Sequence, residues 1–567
     1  MSILNRTFHP DEANQAFTTG RLLETGTYSY NPQDHHGPTL YYAAATLQKA
    51  AGHHSTATLD PTLLRCTPLL FAVLALVFGA LAVRKITGRI WHGLLFALLL
   101  GTSPLFVFFA TDFIQEMLLV SFTMMMLWSA VGYKNVKCKM KNEKCQPAQE
   151  QSPILHSSFS IFHSPTPGTW ALLFGIAAGL AFATKETAIL TFAAAAIAAL
   201  PFACRKTLHV KARDAVLAFM GFALTSFLLY SSFASNWQGV YNAFIAAPLS
   251  YVHCAAGSAA SQGAAAHVHP WWQYLKWMFD GNEGLFAVIV ALPMGLLALL
   301  AKDSRSLVPS SYRTTFIFAS IYSVALVALY SIIPYKTPWC ALQILPGLLL
   351  VVTLGPLLFI RTLHNAYENR LQPHPNGKRL WGKIWCCVAS LAIYGSVLTC
   401  NVKEDIRLNR DPDSKDIPYN YASASPQVQD LATLIIDKIA SSQKPTTNSQ
   451  LSTLNSQLSS TRSTRSTRLN SQPSTLNSKL QTQNFFVAVA LPPEDTWPLP
   501  FYLRTIKDKV GYWTQFGELE ALAGLGRKPI VVVVPAEDGH LVQPLFPHLK
   551  NTKRFEMRPR VRVRAFW

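Results

Sequence analysis

The stretch LLRCTPLLFAVLALVFGALAV, residues 63–83, decides the fold class. Its 21 residues carry one charge, Arg65, near the start. A helix crosses a bilayer with about 20 mostly apolar residues, so this run reads as a membrane span. Extended by one residue it is the window 62–83. Nine more windows qualify at 90–110, 113–133, 168–184, 187–204, 214–234, 284–301, 314–333, 339–360 and 382–400. The fourth and fifth spans abut at Thr184-Lys185-Glu186, which predicts a tight helical hairpin. The composition agrees, with 50% hydrophobic and 14% charged residues, against about 25% charged in soluble domains. Disordered, collagen-like and disulfide-scaffold chains are excluded. Most of the nine cysteines lie within apolar runs, which predicts no disulfide framework and no structural metal site.

The loops between spans give an orientation. Lysines and arginines accumulate in cytoplasmic loops. One alternating set of loops holds twenty of them, among them Arg84, Lys134, Lys206, Arg305 and Arg379, and the other set holds six. The rich set is therefore cytoplasmic. Residues 1–61, the turns near 112, 185 and 336, the 235–283 loop and the C-terminal tail then share the outer face of a cell (inner) membrane. The formal net charge of +19 is largely this orientation signal, and no nucleic-acid partner is expected. An outer N-terminal loop with no span before it predicts a first helix upstream of residue 1.

The tail divides by composition. Residues 401–442 form a connecting segment that ends in an amphipathic helix, VQDLATLIIDKIA. Residues 443–482 are low-complexity, with STLNSQL recurring as STLNSKL, and lack the apolar content to form a core. Residues 483–567 predict a small extracytoplasmic α/β domain. In it FFVAVAL and PIVVVVP are buried strands, TWPLPFYLR is a strand-to-helix connection, and RFEMRPRVRVRAFW is a half-exposed final strand. The Lys-, Ser- and Pro-rich 134–167 loop reads as a cytoplasmic insertion.

The polar residues of the outer face could do chemistry. His9-Pro10-Asp11-Glu12 sets two carboxylates side by side. One could take a proton from a hydroxyl while the other tunes it; the same residues also suit an acidic helix start. Asp34-His35-His36-Gly37-Pro38 makes a fixed turn into the aromatic start Tyr41-Tyr42. His253, His267 and His269 lie in the other long outer loop, but no metal-ligand spacing results. Asp112 and Glu116, four apart at a span's outer end, are expected on one helix face. Carboxylates at a membrane boundary need a partner or a cavity. Lys185-Glu186 is either a pair anchored at the membrane surface or a cation for a lipid phosphate. Tyr335-Lys336, between Pro334 and Pro338, is a second candidate for an anionic head group. No phosphate-binding glycine loop occurs, and neither cofactor nor metal is expected.

Several stretches resemble the GT-C membrane glycosyltransferases of the protein-mannosyltransferase and aminoarabinose-transferase type, in particular a branch labelled flippase-activity-associated protein. They are HPDEANQAF at 9–17, HHGPTLYY at 35–42, ATDFIQEMLL at 110–119, GLAFATKETAIL at 179–190, SIIPYKTPWCALQILP at 331–346, YASASPQVQDLA at 421–432 and TWPLPFYLR at 496–504. The resemblance implies a helical polytopic membrane protein of GT-C type with a small C-terminal α/β domain. It implies a polyprenyl-phosphate sugar donor and transfer to an outer-face acceptor glycan, lipid or protein. Asp11 matches the catalytic base of the family and Glu12 its neighbour. His36, Tyr41, Asp112, Glu116, Lys185, Glu186, Tyr335 and Lys336 are the expected substrate-binding positions. The rival expectation is a non-enzymatic transporter of lipid-linked sugars, or an accessory to one. A transporter would carry its ionisable groups near the bilayer midplane, whereas here they gather at one boundary.

Overall fold

The computed structural model describes residues 6–32, 36–145, 166–205, 210–249, 268–280, 283–300, 310–370, 377–410, 417, 419, 424–442, 487–525, 527–558 and 561–567. The low-complexity stretch 443–482, most of the 134–167 insertion, and Asp34, His35, His253 and His267 lie outside these residues. The chain divides into two compact units. One comprises Met1–Arg6 and Gln15–Tyr421, the other Thr7–Asn14 and Ala422–Trp567.

The first unit is helical. Its main elements are α1 (Pro10–Thr25, whose first turn counts with the second unit), α2 (Thr39–Ala50), α3 (Pro61–Thr87), α4 (Ile90–Gly101), α5 (Pro104–Phe109), α6 (Glu116–Cys145), α7 (Pro167–Phe182), α8 (Ala188–Cys204) and α9 (Ala212–Tyr230). They continue with α10 (Gln273–Asp280), α11 (Leu292–Leu300), α12 (Ser310–Ile332), α13 (Leu345–Arg370) and α14 (Gly377–Arg410). Among the described residues every window predicted to span falls mainly on helix. Among the described residues five helices are long and apolar enough to cross a membrane, and four more apolar helices are shorter. The protein is thus a helical polytopic membrane protein.

Local chemistry explains the elements that carry the site. Helix α3 starts where the Asp60 carboxylate accepts the N–H groups of Thr62 and Leu63, with Pro61 in the first helical position. Helices α7 and α9 approach closely because α7 carries Gly175-Ile176-Ala177-Ala178-Gly179. A Cβ on Gly175 would fall 1.9 Å from the Ala218 carbonyl oxygen, and one on Gly179 2.8 Å from that of Phe222. Small residues at such spacing are how membrane helices gain backbone contact. This packing sets the turn at the end of α7, where Lys185 and Glu186 lie.

One sequence expectation is corrected. Asp112 and Glu116 do not share a helix face, because 111–115 is a run of turns and bends and α6 begins only at Glu116. Asp112 N–H bonds the Phe109 carbonyl at 3.2 Å, and Ile114 N–H bonds that of Asp112 at 2.7 Å. The backbone therefore closes short turns there, which frees the two acids to point to different partners.

The second unit is a five-stranded sheet in the order β2-β1-β3-β5-β4. Its strands are β1 (Val487–Ala490), β2 (Val510–Trp513), β3 (Val531–Pro535), β4 (Thr552–Arg558) and β5 (Val561–Phe566). Strand β1 pairs in parallel with β2 and β3, and β5 runs antiparallel to β3 and β4. The apolar runs around β1 and β3 are buried as expected. The arginine-rich end is a hairpin of two strands rather than a single one, since Arg558 and Val561 already face each other. Strand β2 was not foreseen. Helix α15 (Gln427–Ser442) lays Val428, Leu431, Ile435 and Ile439 into the core of this sheet. In TWPLPFYLR a cis Trp497–Pro498 bond is followed by a short helical turn at Leu499–Tyr502.

Candidate active site

In the first unit, four of the singled-out stretches meet. The turn after α7 and the turn before α2 are fastened to each other. Thr39 N–H bonds the Ala183 carbonyl at 3.2 Å, and Thr39 Oγ1 bonds Thr184 Oγ1 at 2.7 Å. Between them Gly37 leaves no room for a side chain: its Cβ would fall 2.2 Å from the Ala183 carbonyl oxygen. The sequence His36-Gly37-Pro38-Thr39 is thus shaped to lie on Ala183–Glu186.

This contact brings His36 to Glu186, with Nδ1 2.9 Å from Oε2. The Tyr30 hydroxyl donates to the other oxygen, Oε1, at 2.5 Å. The loop from Tyr28 to His36 is itself tied down. Tyr28 hydroxyl donates to the His36 carbonyl at 2.5 Å, and its N–H donates to Ser232 Oγ at 3.0 Å. Asn236 and Asn242 donate to the carbonyls of Tyr28 and Tyr30 at 3.0 and 2.8 Å. Burial alone would raise the Glu186 pKa, but the charge and hydrogen bond of His36 and the Tyr30 hydroxyl outweigh it, leaving it at about 2.

Next to it, Lys185 forms an ion pair with Glu116, both nearly inaccessible. Burial opposes the ammonium charge, yet Cys340, Glu116 and Glu186 together raise its pKa above the ordinary value. Cys340, from the PYKTPWC stretch, places Sγ 4.0 Å from Lys185 Nζ, and Gln343 donates to the Glu116 carbonyl at 3.1 Å. Asp112 pairs with Arg6, and the Arg6 guanidinium also lies over the Phe108 ring. Two carboxylate–cation pairs are thus buried in this unit. Buried charge is tolerated where it is paired and hydrogen-bonded in this way.

The other expected positions fall elsewhere in this unit. Tyr41 is fully buried, its hydroxyl donating to Gln15 and accepting from Gln115, so it braces α1 and the turn before α6. Lys336 is buried at the chain's turn between α12 and α13, donating to the Ile333 carbonyl at 2.5 Å and the His269 carbonyl at 3.3 Å. Its neighbour Tyr335 is exposed and bridges to Val268. Sequence reasoning missed Arg6, Tyr30, Gln15, Gln115 and Cys340. Arg6 was one of six basic residues on the outer face, and its rarity there was the available clue.

The acidic pair belongs to the second unit. Pro10 opens α1, and Asp11 and Glu12 form its first turn. Glu12 is fully buried and accepts the His9 N–H at 2.9 Å, half of a capping box. Asp11 has a half-exposed side chain. Its N–H donates to His9 Nδ1 at 3.1 Å. That nitrogen lies 3.8 Å from the Asp11 carboxylate. Phe8 anchors the segment: it stacks on Phe501 at 4.5 Å, and its N–H donates to the Tyr502 hydroxyl at 2.9 Å. Gln429 donates to Thr7 Oγ1 at 3.2 Å. Three quoted stretches, around Asp11, Gln429 and Phe501, are thereby joined.

Among solved structures the chain is similar to ArnT from Cupriavidus metallidurans. The crystal structure of its apo state matches with a TM-score of 0.54 at 15% identity, covering 99% of this chain and 94% of that one. The crystal structure bound to undecaprenyl phosphate matches at 0.53 and 14% identity, with the same coverage. No family profile and no curated protein sequence matches. Likeness at this identity is a statement about fold, and the fold is the GT-C type that the motifs imply.

Proposed function

We propose that the protein is a membrane glycosyltransferase that moves a sugar from a polyprenyl-phosphate carrier to an acceptor hydroxyl on the extracytoplasmic face. The observation that carries this reading is the first unit's cluster, in which Lys185, Glu116, Glu186 and His36 are brought together by loops from distant parts of the sequence. Its support is a fold shared with ArnT, whose crystal structure holds undecaprenyl phosphate. In this reading Asp11 deprotonates the acceptor hydroxyl. Glu12 assists by fixing the turn that carries Asp11. Lys185 and Lys336 neutralise the donor phosphate, Lys185 exchanging Glu116 for it. The acceptor oxygen attacks the anomeric carbon as the phosphate leaves, so a single displacement inverts that centre. Asp112 and Arg6 hold the loop beside the pair, and Tyr335 offers an exposed ring for substrate contact.

The test is transfer by the full-length chain in lipid, given a polyprenyl-phosphate sugar and an outer-envelope acceptor extract. Wild type should transfer and Asp11→Asn should lose about 10²- to 10⁴-fold in rate, the usual contribution of acid–base catalysis. Full activity of Asp11→Asn removes it from the mechanism. No transfer by wild type favours a carrier or accessory role, as the flippase-associated resemblance suggests.

A further inference from the structure

Resting on the donor chemistry just proposed, we infer that His36 is a further catalytic residue, the acid that serves the departing phosphate, with Glu186 as its positioning residue. The imidazole is the accessible member of the cluster: its side chain is 32% exposed, against 6% for Lys185. Glu186 meets Nδ1, which leaves Nε2 directed away from it with no protein partner among the described residues. A carboxylate behind one ring nitrogen fixes the tautomer, orients the ring and shares the charge of the imidazolium. Glu186 stays ionised down to about pH 2, so it provides this throughout the physiological range.

The charged and titratable groups around His36 are Glu186 itself, Lys185 beside it in the same turn with its partner Glu116, and the hydroxyls of Tyr28 and Tyr30 from the preceding loop. Tyr230, on α9, packs its ring on Tyr30 at 5.1 Å. None of these supplies an exposed cation. Lys185 is committed to Glu116 before substrate arrives.

The leaving group explains why an imidazole is suited to this place. The donor is a phosphodiester with one negative charge. As its bond to the anomeric carbon breaks, the electron pair stays on the phosphate oxygen, and the product is a phosphate monoester whose second ionisation lies near pH 6. An imidazole held by a carboxylate at one nitrogen can pass the proton on its other nitrogen to that oxygen as the bond breaks, which is general-acid catalysis. The step balances as follows. The acceptor oxygen bonds the anomeric carbon and its proton passes to the general base of the transfer. The anomeric carbon–phosphate oxygen bond breaks, and the Nε2 proton of His36 passes to that oxygen. The products are the glycoside, the monoanionic carrier phosphate, neutral His36 and the protonated base. Exchange of one proton with water at each restores both groups.

The experiment measures transfer by the full-length chain in lipid between pH 5.5 and 9, with two donors: the polyprenyl-phosphate sugar and its phosphorothioate analogue, whose leaving group is more acidic. Wild type should lose rate at high pH with the phosphate donor and lose less with the thio donor. His36→Gln should lower kcat about 10²-fold with the phosphate donor, leave the donor KM within a few fold, and abolish the decline at high pH. The thio donor should restore most of the rate to this variant. Glu186→Gln should move the decline to lower pH. A His36→Gln enzyme that keeps the wild-type decline and kcat, or that changes KM alone, overturns the inference while the transferase reading stands. If His36→Gln does not fold, wild type decides: equal declines with both donors overturn it. Wild type inactive with both donors removes the transferase reading and the inference with it.

Discussion

Glu116 and Asp11 both stand in the first turn of a helix, one in each unit, and they live under opposite conditions. Glu116 is 1% exposed and held by Lys185, with Gln343 on its backbone carbonyl. Asp11 is half exposed, and the ring nitrogen nearest its carboxylate is an acceptor. The buried pair resembles a structural keystone that also stores a cation; the exposed acid is chemically available. A base that must take a proton from an incoming hydroxyl cannot be committed to a lysine beforehand. The difference between the two regions is the reason the proposed reading gives proton abstraction to Asp11 and charge neutralisation to Lys185.

The comparison is broken most severely at Lys185. Lys185→Met leaves Glu116 buried without its cation, and removing one partner of a buried pair costs about 3–5 kcal/mol. Thermal unfolding of the purified membrane protein should show this loss. The double variant Lys185→Met, Glu116→Leu should recover much of it, because no bare charge remains. If the single variant melts like wild type, the pair is not a keystone and the contrast with Asp11 fails.

Acid offers a second way to break the cluster. The Glu186 carboxyl is depressed from an ordinary 4.5 to about 2. A depressed acid adds stability that is fully present above its unfolded value and is lost as pH falls through the folded one. Wild type should therefore lose stability between pH 4.5 and 2. Glu186→Gln should start less stable at neutral pH and lack this component of the decline. The readout is the unfolding midpoint as a function of pH, and parallel curves for the two proteins count against the ionised Glu186.

A smaller effect tests the fastening of the two turns. Gly37→Ala puts a methyl 2.2 Å from the Ala183 carbonyl oxygen, and a backbone atom cannot swing aside as a side chain can. Overpacking of this kind costs about 1–3 kcal/mol. The His36–Glu186 contact should loosen with it, so transfer should fall by more than the lost stability explains. Wild-type rate and midpoint would show that the turns can part without consequence.

Much of this was legible in the sequence, for physical reasons that differ by residue. Spans announce themselves because about 20 apolar residues are needed in a row, and among the described residues all ten windows fall mainly on helix. The turn chemistry of His36-Gly37-Pro38 and the adjacent charges Lys185-Glu186 are local and could be read directly. Which charge meets which could not. Tyr30 and Glu186 are 156 positions apart, and a tyrosine among aromatics gives no hint of a carboxylate partner. Asp112 and Glu116 misled because spacing by four implies a shared face only if a helix is present, and the backbone between them is a chain of turns. Strand β2, VGYW, is a short edge strand following a helical turn and has no strong alternation to reveal it.

The smallest structural effect belongs to the residue with the largest proposed chemical one. Asp11→Asn removes a charge from a half-exposed position where no Lys or Arg pairs with it among the described residues, and such changes usually lie within about 0.5 kcal/mol of wild type. The first turn of α1 should survive, because the His9 N–H is held by Glu12 and the segment is anchored by Phe8 on Phe501. Midpoints of unfolding for Asp11→Asn and wild type should therefore coincide while transfer collapses. Coincident midpoints together with lost activity isolate the carboxylate as a chemical group. A large drop in the midpoint would mean that Asp11, like Glu116, is held for structure, and the contrast between the two regions would dissolve.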